Sequence, residues 1–226
     1  MSQSTIDIDT IHASLILAMY NSANLEGLKQ EDFNKINNFN YSGSFEGKNP
    51  YNSKFKEQAL FNAINSGSKD VVAHALNHLK ISKNTLNKAF LLICTKGDLN
   101  MLKFFTEYPL IKESLNIYMM NGMALKKIVV SQNEGALNYL LKYDYSDKQI
   151  QEAFKIACQK ECLHSVNYLM KKKKKLIDIK IINWLEANVS CSNKVRSLVK
   201  SYILYDKLTE EIPNDMINKK KIGLKI

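Results

Sequence analysis

The stretch "ALFNAINSGSKDVVAHAL", residues 59–76, contains two apolar patterns of helical spacing separated by a polar, glycine-containing break. The apolar positions are Ala59, Leu60 and Ala63 before the break and Val71, Val72 and Ala75 after it. Residues three or four apart lie on one face of a helix, so each half predicts a helix with one apolar face. Because glycine allows the left-handed backbone at which helices commonly end, the break predicts a short turn.

The same pattern recurs three more times without an internal gap. Alanine stands at the equivalent anchor position of each copy: Ala59, Ala89, Ala124 and Ala153. A large apolar residue follows each anchor, and the residue four positions after the anchor is also apolar. A polar break lies eight positions after each anchor, and the chain is mostly apolar again at offsets twelve, thirteen and sixteen. Each copy therefore predicts a pair of helices joined by a turn.

A weaker fifth copy and two flanking segments complete the predicted organisation. In the fifth copy Asn183 takes the anchor position, and the expected core residues are Trp184, Ala187, Val195 and Val199. Residues 1–55 are expected to form an N-terminal helical segment and loop, of which 37–53 is expected to be irregular because it is rich in Asn, Gly and Ser and contains Pro50. Residues 213–226 are expected to form a mobile basic tail after Pro213.

Residues 56–212 thus form a predicted helical repeat domain. Neither helix of a pair can bury its apolar face alone, so neighbouring pairs must stack into a continuous core. The sequence predicts an all-α solenoid of about five stacked antiparallel helix pairs, and an irregular helical bundle is the alternative.

The repeats resemble the ankyrin repeat. Residues 59–76 and "AFLLICTKGDLNMLKFF", residues 89–105, are similar to its first helix with the apolar–x–x–Ala pattern, its glycine turn and its second helix. The Thr-Pro start of the ankyrin unit is missing, since the equivalent pairs are Gln58-Ala59, Lys88-Ala89, Met123-Ala124 and Glu152-Ala153. The resemblance covers roughly residues 57–200 and implies a curved stack that binds another protein, but the missing start puts the usual β-hairpin loops in doubt.

Composition adds a second resemblance and an expected location. The chain is rich in lysine and asparagine, and its terminal sequence contains Glu210-Glu211, which resembles ankyrin-like effectors of intracellular bacteria such as Legionella. That resemblance implies translocation into a host cell.

No stretch approaches 18 consecutive apolar residues, and the apolar residues 11–20 follow Asp7 and Asp9 rather than basic residues. With only four cysteines, a cytoplasmic, reducing location is expected.

The basic charge of +10 comes from 31 lysines and the single arginine Arg196. Arginine is the residue that usually reads phosphates and base edges, because its planar group forms paired hydrogen bonds. Lysine, asparagine, isoleucine, tyrosine and phenylalanine are also the residues of A/T-rich codons, which accounts for much of the excess. A lysine-rich adaptor that binds nucleic acid or an anionic membrane is the alternative to a protein-binding module.

Candidate chemical groups are sparse, and no catalytic residue, metal site or cofactor is expected. Cys158, Cys162 and His164 lack a second ligand pair for zinc, and Cys158 falls at a repeat core position where cysteine acts as a small hydrophobe. His74 and His78 lie four residues apart on a predicted helix but have no third ligand. An enzyme with its site in residues 1–55 or in a groove remains a third class.

The predicted partner-binding residues fall into three sets. Residues two or three positions after an anchor line one face of the stack: Phe61, Leu91, Lys126, Lys127 and Lys155. Tyrosines of the connections are candidate interface anchors: Tyr108, Tyr143 and Tyr145. The lysine run at the expected end of a helix is the third set: Lys171, Lys172, Lys173, Lys174 and Lys175. The partner is expected to be another protein with an acidic surface, whereas the alternative for Phe61 and Leu91 is packing against neighbouring helices.

Overall fold

A computed structural model describes residues 50–173, 177 and 179–211 of the chain, and this part is entirely helical, without strands. The ten helices in these ranges are α1 Pro50–Ser66, α2 Lys69–His78, α3 Lys83–Lys96, α4 Leu99–Glu107, α5 Met119–Ser131, α6 Glu134–Leu140, α7 Asp147–Gln159, α8 Leu163–Lys173, α9 Ile179–Ala187 and α10 Asn193–Glu211. The predicted all-α class is confirmed. The predicted tail 213–226 and residues 1–49 of the N-terminal segment lie outside the described residues.

Polar side chains at the helix starts fix where the helices begin. The Ser68, Ser82 and Asn133 side chains each accept a hydrogen bond from a backbone N–H three residues later. Ser146 does the same at the start of α7, and the Gln149 side chain accepts from the Ser146 backbone in return. Such caps satisfy N–H groups that have no partner within the helix. Ser146, rather than Asp147, is therefore the N-cap of α7.

The residue eight positions after each anchor has the left-handed backbone expected of the turn. The φ angles are 75° at Gly67, 69° at Gly97, 57° at Gln132 and 54° at Glu161. Two of these turns therefore use glycine, whereas the other two place a residue with a side chain in a conformation that costs it energy.

Helix contacts follow chain order. The two helices of each of the first four pairs, α1–α2, α3–α4, α5–α6 and α7–α8, pack on one another. The first helices form one series, in which α1 contacts α3, α3 contacts α5, α5 contacts α7 and α7 contacts α9. The second helices form another, in which α4 contacts α6, α6 contacts α8 and α8 contacts α10. The described chain is thus two layers of helices packed side by side.

The predicted core positions of the first four copies are buried. All four anchor alanines are fully excluded from solvent, as are the residues one and four positions after them. Positions twelve, thirteen and sixteen are also buried in every copy, including Ser165, whose hydroxyl donates a 2.6 Å hydrogen bond to the Val129 carbonyl. The largest core side chains include Phe90, Phe105 and Phe154. Apolar burial at these positions is the main contribution to the stability of the stack.

The fifth copy departs from the predicted register. Val195 and Val199 are buried as expected, but Asn183 and Ala187 are exposed, and Trp184 is only half-buried. Ile181 and Leu185 occupy the core instead. The turn that follows α9 is longer than the other turns, so the apolar face of α9 begins two residues earlier than the gap-free alignment places it.

A second correction concerns the segment before the first anchor. Residues 50–53 were expected in an irregular segment, but α1 begins at Pro50. Proline is tolerated in the first helical turn because its missing N–H would have no partner within the helix there. Pro50 therefore marks the start of a helix rather than a continuation of the loop.

Candidate partner-binding surface

Phe61 and Leu91, the apolar members of the predicted first-helix face, are half-buried and pack against the core. They lie two positions after their anchors, where the helix surface turns away from the core. Their contact with the core agrees with the alternative interpretation, in which they stabilise the stack. The exposed part of each side chain still borders the outer surface of α1 and α3.

The lysines of this face differ in their environment. Lys155 of α7 is engaged within the chain, because its Nζ lies 2.9 Å from Glu152 Oε1 and 5.6 Å from the centre of the Trp184 ring. Lys126 of α5 is half-buried and Lys127 is exposed, and within the described residues neither forms an ion pair. The uncompensated positive charge of the first-helix face therefore lies on α5, in the middle of the stack.

The three predicted tyrosine anchors are used within the chain. The Tyr108 hydroxyl donates a 2.9 Å hydrogen bond to Asn77 Oδ1, and the Tyr143 hydroxyl lies 3.3 Å from the Tyr139 hydroxyl. Tyr145 is 7% exposed, and its hydroxyl donates to the Ile117 carbonyl at 3.2 Å. Burial raises the pKa of the Tyr145 phenol, so this side chain stays neutral. Tyr145 is an internal packing residue and offers no surface to a partner.

Tyrosines on the second helices, or directly after the helix end in the case of Tyr108, form a feature that the sequence did not predict. They make a series of hydrogen bonds between successive helix pairs. Each hydroxyl donates to a side-chain oxygen of the preceding second helix. The pairs are Tyr108 to Asn77 at 2.9 Å, Tyr139 to Glu107 at 3.0 Å, Tyr168 to Asn138 at 2.6 Å, and Tyr202 to Asn167. We call these four bonds the tyrosine ladder. The sequence signal for this ladder was the recurrence of tyrosine fifteen or nineteen residues after an anchor.

The lysine run is described only in part. Lys171, Lys172 and Lys173 form the last turn of α8, where cations complement the negative end of the helix dipole. Lys171 and Lys172 are exposed, and Lys173 is half-buried. Lys174 and Lys175 lie outside the described residues. The prediction that the run begins where α8 ends is confirmed, and α9 begins at Ile179.

The single arginine has a structural role. Arg196 on α10 donates from Nη2 to the Asn188 carbonyl at 2.8 Å and from Nε to the Leu185 carbonyl at 3.4 Å. These carbonyls lie at the end of α9 and in the long turn that follows it. Arg196 therefore satisfies helix-end acceptors, and its guanidinium is committed to the chain rather than to a phosphate.

The cysteine and histidine candidates form no reactive or metal-binding arrangement among the described residues. Burial raises the pKa of the Cys94 and Cys158 thiols, so both remain in the unreactive protonated form. The His74 and His78 rings lie 4.4 Å apart between centres. Burial, and secondarily the charge of His78, lowers the pKa of His74. His164 is exposed on α8.

Two grooves occupy equivalent places between successive second helices. The larger, of about 730 Å³, lies between α8 and α10 and is lined by Leu163, His164, Asn167, Asn193, Lys194, Ser197 and Leu198. The smaller, of about 330 Å³, lies between α6 and α8 and is lined by Glu134, Gly135, Asn138, Tyr168 and Lys172. Residues of the tyrosine ladder line both grooves, Asn167 in the larger and Asn138 with Tyr168 in the smaller. The face of the second helices thus carries recessed surfaces of a size that can hold part of a ligand.

No described helix is both apolar enough and long enough to cross a bilayer. The chain matches no protein-family model, no curated protein and no solved structure.

Proposed function

We propose that the chain is a non-enzymatic protein-binding module, an ankyrin-like solenoid of about five helix pairs that recognises another protein with an acidic surface. The observation that carries the proposal is the serial packing of the helices, in which first helices contact first helices and second helices contact second helices. Side-by-side helices are 8–10 Å apart, so such packing repeats one surface at steps of about 10 Å. Extended repeated surfaces are typical of solenoids that bind proteins.

Charge favours an acidic partner. The chain carries a formal charge of +10, and Lys126 and Lys127 add uncompensated positive charge at the centre of the first-helix face. A surface of one sign steers oppositely charged partners and raises their rate of association. Leu91, which is half-buried on the adjacent helix α3 at the same offset as Lys126, supplies apolar area on the same face. Lys126 and Lys127 are therefore the proposed centre of the contact on this face.

Capture of proteins from cell lysates on the immobilised chain tests this proposal. The immobilised chain is compared with the double variant Lys126→Glu/Lys127→Glu and with the control Lys69→Glu/Lys103→Glu, which reverses two exposed lysines of the second helices. We expect the original chain and the control to retain one stoichiometric protein at about 0.5 M salt, where surface charges are strongly screened. The Lys126/Lys127 variant should lose most of that protein. Recovery of no stoichiometric protein from any lysate would contradict the proposed function.

The competing function, binding of nucleic acid or an anionic membrane, gives a different result in the same experiment. Phosphate contacts made by lysines weaken steeply as salt rises. Retention of nucleic acid or anionic vesicles at low salt, with complete release at about 0.5 M salt, would support the adaptor. The engagement of Arg196 within the chain favours the protein partner.

The proposal extends to location. The lysine- and asparagine-rich composition supports a protein that an intracellular bacterium delivers into the cytoplasm of its host. A reporter enzyme fused ahead of Met1 and active only in host cytoplasm tests this step. Signal in infected cells that is lost in a secretion-deficient strain is expected, and equal signal from both strains would contradict translocation.

A further inference from the structure

The groove between α8 and α10 differs from the equivalent groove between α6 and α8 in its charge and its apolar area. Its lining contains the basic residues Lys194 and His164 and no carboxylate. The smaller groove contains Glu134 beside Lys172, so its charges offset one another. The positive charge of the larger groove is therefore not offset within its lining, and an acidic ligand can neutralise it.

The polar groups of the larger groove are mainly hydrogen-bond donors. Asn167 Oδ1 already accepts from the Tyr202 hydroxyl, and Asn193 Oδ1 accepts from Arg196 Nη1 at 3.4 Å. Within the described residues neither amide group donates through its Nδ2. The amide donors of Asn167 and Asn193 therefore remain in a groove that Lys194 also lines. An occupant must supply acceptors, and a carboxylate fits best because its hydrogen bonds to an ammonium are assisted by charge.

Two leucines supply the apolar part of the groove. Leu163 from α8 and Leu198 from α10 are both half-buried and stand on opposite helices of the groove. A half-exposed leucine gains free energy when an aliphatic side chain of a ligand covers it. The groove volume of about 730 Å³ can hold one such side chain together with flanking backbone.

We propose that the groove between α8 and α10 docks an extended acidic peptide segment of the partner, with one aliphatic side chain between Leu163 and Leu198 and carboxylates at Lys194 and the two amides. This inference rests on the proposed function and names a second contact for the same partner. Peptides in extended conformation advance about 3.3 Å per residue, so roughly three residues cross one inter-helix step.

Fluorescence anisotropy of labelled peptides tests the groove directly. The probe has one leucine between two pairs of aspartates, and its comparators replace either the aspartates by asparagines or the leucine by glycine. We expect the probe to bind the full chain and each comparator to bind at least about tenfold more weakly, which corresponds to about 1.4 kcal/mol. Equal binding of all three peptides, or no binding of the probe at low salt, would overturn the proposal.

Charge reversal at the starts of two second helices locates the contact. Lys194→Glu should weaken binding of the probe at least about tenfold, and the matched control Lys69→Glu, at the start of α2, should change it less than about twofold. Lys194 is exposed near the start of α10, where a carboxylate suits the helix dipole, so the variant is expected to fold. Equal weakening by both substitutions would show unspecific attraction and overturn the assignment. A DNA duplex that displaces the probe and itself depends on Lys194 would also overturn it.

The lysate experiment separates this inference from the proposed function. If the Lys194→Glu chain and the original chain retain the same protein equally well, the groove proposal fails and the proposed function stands. If the probe binds through Lys194 but no lysate yields a stoichiometric protein, the groove stands and the proposed function fails. Loss of both the probe and the partner protein in Lys194→Glu, but not in Lys69→Glu, is the result expected.

Discussion

The Tyr168 hydroxyl on α8 donates a 2.6 Å hydrogen bond to Asn138 Oδ1 on α6, thirty residues earlier in the chain. The bond joins two successive second helices and belongs to the tyrosine ladder. A tyrosine ring can cover the apolar surface between two helices while its hydroxyl reaches a polar partner at the edge. The ladder therefore fixes the spacing of neighbouring helix pairs on the face that carries both grooves.

Removal of one ladder hydroxyl should weaken the stack by a measurable amount. We expect Tyr168→Phe to lower the free energy of unfolding by about 1 kcal/mol, because one intramolecular hydrogen bond is lost while the ring remains. Urea denaturation followed by circular dichroism measures the change. Tyr205→Phe is the matched control, since Tyr205 is 69% exposed. Equal destabilisation by the two substitutions would show that the ladder contributes nothing.

The turn glycines should differ in their tolerance of a side chain. Gly67 and Gly97 both have left-handed backbones, with φ of 75° and 69°. A Cβ at Gly67 would meet no atom within 4 Å, whereas one at Gly97 would overlap the Ser131 side chain. We expect Gly67→Ala to cost about 1 kcal/mol from the backbone alone and Gly97→Ala to cost at least about 1 kcal/mol more.

A double variant isolates the steric part of that cost. The Ser131 Cβ would lie 2.7 Å from the added Cβ, so Ser131→Gly makes room for it. Ser131→Gly relieves the overlap only in the Gly97→Ala background. Its effect on the free energy of unfolding should therefore be about 1 kcal/mol more favourable in that background than in the original chain. Strict additivity of the two changes would contradict the close approach of the two turns.

Glycine should stabilise the two turns that lack it. Gln132 and Glu161 have φ of 57° and 54°, a conformation that costs residues with a side chain about 1 kcal/mol or more. We expect Gln132→Gly and Glu161→Gly each to raise the free energy of unfolding by about 0.5 kcal/mol, after the greater flexibility of the unfolded glycine chain is subtracted. Gln132→Ala is the control and should give no gain. A loss of stability in both glycine variants would contradict the left-handed turn.

Acidification should weaken the fold through His74. Burial, followed by the charge of His78, holds the pKa of His74 below its ordinary value of 6.5. The folded state therefore disfavours the protonated ring, while the unfolded state binds a proton as pH falls through 6.5. Stability should be constant above that pH and should decline from there down to the lowered pKa, by less than about 1 kcal/mol because the ring is half exposed to solvent.

Denaturation at several pH values measures this decline. Below pH 6.5 the free energy of unfolding of His74→Gln should fall less steeply with pH than that of the original chain, because the contribution of this ring is lost. An unchanged slope in His74→Gln, or a gain in stability on acidification, would contradict the burial of the neutral ring.

The sequence could predict the core of the first four helix pairs because core burial follows from a local pattern. The anchors Ala59, Ala89, Ala124 and Ala153 and their apolar neighbours recur at fixed offsets, and a helix turns fixed offsets into one face. The left-handed turn could be predicted at Gln132 and Glu161 for the same reason, although neither residue prefers that backbone.

The features that the sequence could not predict depend on which residues of neighbouring helices contact one another. The buried face of α9 could not be predicted because the turn that follows α9 is longer than the other turns within helix pairs. Arg196 stabilises that turn through hydrogen bonds to Leu185 and Asn188. The tyrosine ladder joins residues about thirty positions apart, which only the packing of second helices brings together. Lys155 has the same offset as Lys126, yet Glu152 and Trp184 engage it, and a repeat alignment does not contain those contacts.

The central claim is that the helix pairs stack in a line and so repeat one surface. Spin labels at Asp70, His164 and Lys194, which are exposed at the same offset of the first, fourth and fifth copies, allow this to be measured by pulsed electron resonance. With steps of about 10 Å per helix pair, the Asp70–His164 distance should be about 30 Å and the Asp70–Lys194 distance about 40 Å. Two equal distances, or both below about 20 Å, would indicate a compact bundle and would contradict the stack.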